Sequence, residues 1–83
     1  MYLYETIDKL VLLTLEGYVT EPEFDEIREK LQSGRDNGQE LVVSIDLSYL
    51  DREDSTREVE KGINDLLRFC HDSDIRVHFY RFQ

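Results

Sequence analysis

The chain predicts an α/β fold of order β-β-α-β-α-β: one mixed four-stranded sheet with two helices packed on one face. Three observations carry this. Two capping-box patterns, Thr20-Glu21-Pro22-Glu23 and Ser55-Thr56-Arg57-Glu58, each open a segment with apolar residues at helical spacing. Between the two helices lies Leu41 to Leu47, nearly continuous in apolar residues, as expected of a central strand covered on both faces. The remaining apolar segments are short and bounded by turn residues. Right-handed strand-helix-strand crossovers then set the second, third and fourth strands parallel.

Tyr2 to Ile7 reads as the first strand and Leu10 to Leu15 as the second, joined by the tight turn Asp8-Lys9. Gly17 to Val19 leads out of that strand. Proline in the first turn suits the first helix, whose apolar stripe is Phe24, Ile27 and Leu31. Its other face carries Asp25, Glu26, Glu29 and Lys30, with Glu26 and Lys30 spaced to form an ion pair. Gly34, then Asp36-Asn37-Gly38, should stop this helix. The second helix presents Val59, Ile63, Leu66, Leu67 and Cys70. Gly62 within it costs up to ~1 kcal/mol relative to alanine, which points to close packing against the sheet or a tolerated defect. His71-Asp72-Ser73-Asp74 ends the helix, and Ile75 to Phe82 forms the last strand. Tyr2, Tyr4, Tyr80 and Phe82, near the chain ends, are expected to line the sheet's open face. An exposed aromatic patch usually marks an association surface, so a homodimer through that face or an edge strand is a candidate.

Eighty-three residues make a single domain, residues 1–83, with a small core. Charged residues are 35% and hydrophobic ones 40%, a globular rather than disordered mix. No apolar run approaches the ~20 residues of a membrane span, and MYLYETIDKL lacks the basic start and apolar core of a secretory signal. Cys70 is the lone cysteine, so no internal disulfide forms. A cytoplasmic protein is expected. The net charge of -9 is concentrated on the first helix and at the exit of the third strand. Direct nucleic-acid binding, which needs clustered Lys and Arg, is disfavoured. So is binding at a membrane. His71 and His78 are far apart in pattern. Asp46, Asp51 and Asp54 are read as solvated loop carboxylates, so no metal or cofactor is expected. With no nucleophile, base and orienter to assemble, neither is an enzyme.

The crevice beyond the carboxyl ends of the strands is where open α/β sheets bind partners and ligands. Here that place falls on the polar exit of the third strand, Ser48 to Thr56, and the helix start after it. Leu15-Glu16-Gly17, Asp46-Leu47-Ser48 and Asp54-Ser55-Thr56 stand in the order of a hairpin strand end, a central strand end and a helix-opening loop. In these motifs, and across most of residues 11–82, the chain resembles the STAS domain of anti-sigma-factor antagonists. It departs from that family at Arg57, where a glycine is usual, and in the charged Arg52, Glu53 and Asp54. The resemblance implies a regulatory protein-interaction module, with Ser55 as the phosphorylation candidate and the surrounding loop contacting a protein partner. The residues so implicated are Asp46, Ser48, Asp51, Asp54, Ser55, Thr56 and Glu58. As a helix cap worth ~1 kcal/mol, Ser55 is also explained without any kinase. The alternative is an acidic inhibitor or immunity-type protein, a nucleic-acid mimic blocking a basic site through Glu21, Glu23, Asp25, Glu26 and Glu29.

Overall fold

A computed structural model describes residues 1–38, 40–51 and 57–80. β1 (Tyr2–Ile7), β2 (Leu10–Gly17), α1 (Glu21–Asp36), β3 (Val42–Leu50), α2 (Arg57–Asp72) and β4 (Arg76–Tyr80) follow the expected order. The sheet runs β1-β2-β3-β4, antiparallel at the first pair and parallel at the other two. β3 is therefore internal, flanked by β2 and β4.

The turn between β1 and β2 is the two-residue Asp8-Lys9, with Asp8 in the left-handed region at φ 52°. Its register pairs Tyr2 with Leu15 and Tyr4 with Leu13. Alternation then decides the two faces of the sheet. Val11, Leu13 and Leu15 of β2 and Val43 and Ile45 of β3 are buried, in one cluster with Phe24, Ile27 and Leu31 of α1 and Val59, Leu66 and Cys70 of α2. Both helices thus cover one face. β3 is not covered on both sides as its apolar run suggested: Val42, Ser44 and Asp46 are only half-buried on the other face.

Three boundaries differ from expectation. β3 continues three residues beyond Leu47, so Ser48, Tyr49 and Leu50 belong to strand rather than loop. An irregularity between Thr14 and Glu16 shifts the β2–β3 register there and lets the pairing continue through Glu16–Tyr49 and Gly17–Leu50. α1 runs through Gly34 to Asp36, and Gly38, at φ +76°, turns the chain. A glycine this near the helix end costs too little to break it.

Tyr2 and Tyr4 do not line the open face. Their register places them beside Leu15 and Leu13, under α1, where they pack on the core. The Tyr2 hydroxyl donates to Glu26 at 2.9 Å, and the Lys30 ammonium lies 5.5 and 5.2 Å from the centres of the Tyr2 and Tyr4 rings. Burial first, then the Glu26 carboxylate, pushes the Tyr2 hydroxyl pKa up; burial does the same to Tyr4. The expected Glu26–Lys30 pair gives way to these contacts, because two aromatic rings from β1 come between the spacing rule and its partners. Phe82 lies outside the described residues.

Candidate functional site

The carboxyl ends of β2 and β3 meet the starts of both helices along one rim of the sheet. At β2's exit Gly17 takes φ +56°, a backbone that glycine adopts at no steric cost. The Asp51 amide donates to the Gly17 carbonyl at 3.1 Å, so the two strand exits are bonded to each other beyond the ladder. The Tyr18 hydroxyl donates to Glu58 at 2.6 Å and fastens the β2 exit to the first turn of α2. Glu58 there also lies where a helix start favours negative charge.

The start of α1 is held just as closely. Glu23 reaches back to the Thr20 amide at 3.2 Å and hydroxyl at 3.0 Å. It also pairs with the Met1 amino group at 3.1 Å. That amino group donates to the Tyr18 carbonyl at 2.6 Å and the Glu16 carbonyl at 3.2 Å. Burial raises the Glu23 carboxyl pKa, but the Thr20 bonds and the Met1 amine outweigh it, and the net shift is downward. A carboxyl held below its ordinary value contributes stability at neutral pH that is lost as pH falls through the folded value. Glu23→Ala is expected to lower stability by about 1 kcal/mol near pH 7, with the difference narrowing in acid, as urea melts at pH 7 and pH 3 would register.

The expected site residues do not all converge. Asp51 and Glu58 lie on this rim. Asp46 is in a mid-strand row on the open face, and its carboxylate accepts the Ser48 amide at 2.8 Å, a local turn that steadies the irregular stretch of β3. Asp54, Ser55 and Thr56 lie outside the described residues, as does the second capping box at its Ser55 end. On the acidic α1 face, Glu23 is occupied by the cap, Glu26 by Tyr2, and Asp25 by Arg28. Glu21 and Glu29 are exposed. Sequence reasoning missed Tyr18 and the Lys30 stack; only the aromatic spacing of Tyr2 and Tyr4 hinted at the latter.

Between the helices runs a groove of about 280 Å³. Phe24 and Gly62 form its floor, and Glu21, Asp25, Glu58 and Asp65 stand along it with Arg28 and Lys61. Among the described residues, no His, Cys, Asp and Glu side chains group in threes to hold a metal ion. No helix among them is long and apolar enough to cross a membrane.

These elements define a two-layer α/β sandwich with a mixed sheet. No protein-family model matches the chain, and no curated protein matches it. A solved structure described as "Crystal Structure Analysis of Mglu" superposes on 93% of this chain with a TM-score of 0.56 and 22% identity. The chain spans 18% of that structure's chain, and the likeness is one of fold.

Proposed function

We propose that the chain is a non-enzymatic regulatory module of the STAS-like type that binds a protein partner through the exit of β3 and the start of α2. The observation that carries this reading is the double fastening of the rim, Asp51 to Gly17 and Tyr18 to Glu58, which fixes both ends of the acidic segment 52–56. A rim whose flanking elements are pre-set loses less freedom on association, which favours recognition there. The competing reading, an acidic inhibitor acting through α1, is weakened because Glu23, Asp25 and Glu26 already serve internal contacts.

The test is affinity capture of the partner with wild-type chain, followed by the same capture with variants. Asp51→Arg with Glu58→Arg is expected to lose the captured protein, whereas Glu26→Lys with Glu29→Lys keeps it. The opposite pattern, with steep loss of binding at moderate salt, would overturn the proposal in favour of the acidic inhibitor. Aspartate is as good a helix-capping residue as serine, so lost binding in Ser55→Asp but not in Ser55→Ala identifies a phosphate-responsive switch. Equal binding in both rejects the switch.

A further inference from the structure

The face of the sheet opposite the helices has no cover among the described residues, and its side chains fall into rows fixed by the strand register. One row is Ile7–Leu10–Val42–Arg76, and the next is Glu5–Leu12–Ser44–His78. Leu3 and Thr14 begin a third, which reaches Asp46. Leu3 and Ile7 are 51% and 56% exposed, while Leu10, Leu12 and Val42 are half-buried between their neighbours. The apolar residues thus occupy the middle of the face and its β1 side. Glu5 on β1 and Arg76 and His78 on β4 stand at the edges, while Asp46 puts an acid on the internal strand β3.

We infer that this face pairs with the same face of a second copy. Consider a two-fold axis parallel to the strands, passing between the sheets above the β2–β3 boundary. It lays β1 of each copy over β4 of the other and keeps the strand directions aligned, the usual packing of two sheets. Within the second row, Glu5 then meets His78 and Leu12 meets Ser44. Within the first, Leu10 meets Val42 and Ile7 covers the Arg76 stem. Each Glu5 thus comes against the β4 edge that carries His78 and, one row over, Arg76, around an apolar centre made by Leu10, Leu12 and Val42. An apolar centre within a polar rim is the anatomy of a protein interface.

Electrostatics also chooses this face over the other. Two copies meeting through their helices would oppose Glu21, Glu29, Glu58, Glu60 and Asp65 to themselves, all of them exposed. On the open face, the acidic Glu5 and the basic Arg76 stand on opposite edge strands, which the two-fold brings together, while Asp46 comes against Thr14 of the other copy. The pairing leaves the rim of β2, β3 and α2 accessible, so it is independent of the partner-binding reading above.

Sedimentation velocity of the full chain over a concentration series tests the pairing. Wild type is expected to be a dimer at about 100 μM, where association at μM affinity is nearly complete. Leu12→Lys, at the centre of the face and away from both edge strands, should weaken association by at least tenfold while circular dichroism stays native. Glu5→Arg alone and His78→Glu alone should each weaken it, and the double variant should recover at least half of the loss. Glu29→Arg, on the helix layer, should leave it unchanged. A wild-type monomer at every concentration overturns the inference. So does a dimer indifferent to Leu12→Lys, which would pair through an edge strand, or a charge swap without recovery.

Discussion

Gly62→Ala is expected to destabilise the fold by about 1–3 kcal/mol, although alanine is the better helix former by ~1 kcal/mol. A Cβ on Gly62 would lie 2.4 Å from two ring carbons of Phe24 and 2.8 Å from a third. Non-bonded carbons do not approach so closely, so the ring or the helix must move. The Phe24 ring belongs to the buried core with Ile27 and Val59, so it can yield only outward into the groove and at the cost of that burial. The overpacking cost therefore exceeds the propensity gain. Phe24→Leu should relieve part of it, so a double-mutant cycle on urea midpoints should return a favourable coupling of about 1 kcal/mol or more. Stabilisation by Gly62→Ala would mean that the helices are free to separate here, contrary to the packing described.

The second large effect concerns Cys70. The thiol is 1% exposed in the core, and burial pushes its pKa up from 9.0 to about 11. At pH 8 this leaves a thiolate fraction about 100-fold below that of an ordinary thiol, before access is considered. Alkylation of Cys70 in native protein is expected to be at least that much slower than in urea and to proceed through opening of the fold. Comparable rates in the two conditions would show the thiol at the surface. The same shift governs alkaline stability. Between about pH 9 and about 11 the unfolded thiol has lost its proton and the folded one has kept it, so stability falls as pH rises. Tyr2 and Tyr4, whose hydroxyl pKa values are also raised, act in the same direction. Urea midpoints should decline through this interval, and Cys70→Ala should flatten part of the decline.

The element order was legible in the sequence because local signals agreed. A capping box, a proline at the first turn and an unbroken 3-4 spacing all pointed to α1, and the Leu41–Leu47 run pointed to an internal strand. What eluded the sequence was set by partners distant along the chain. The two-residue turn fixes which tyrosines face α1, and a one-residue change of register would have exchanged Tyr2 and Tyr4 for Leu3. β3 outlasts its apolar run because the irregularity opposite Leu15 lets Tyr49 and Leu50 go on pairing with β2, and the polar Asp46 and Ser48 conceal that continuation. Gly62 was legible as a site of close packing, but its neighbour is α1 and not the sheet. Of the candidate site, the rim position of Asp51 and Glu58 followed from topology. Tyr18, the side chain that joins β2 to α2 there, had no periodic signal to reveal it.

Each strand in the sheet lies beside its successor in sequence, and no connection skips a place. Only the β1–β2 hairpin joins near neighbours in sequence; the parallel ladders pair Leu10 with Val42 and Val42 with Arg76, each across a whole helix. Loop entropy must be lost before either parallel ladder forms, so the hairpin is the natural nucleus and the rest adds in turn towards β4. The parallel steps set the pace of folding, and until they are complete the edges of β2 and β3 stay open to other chains.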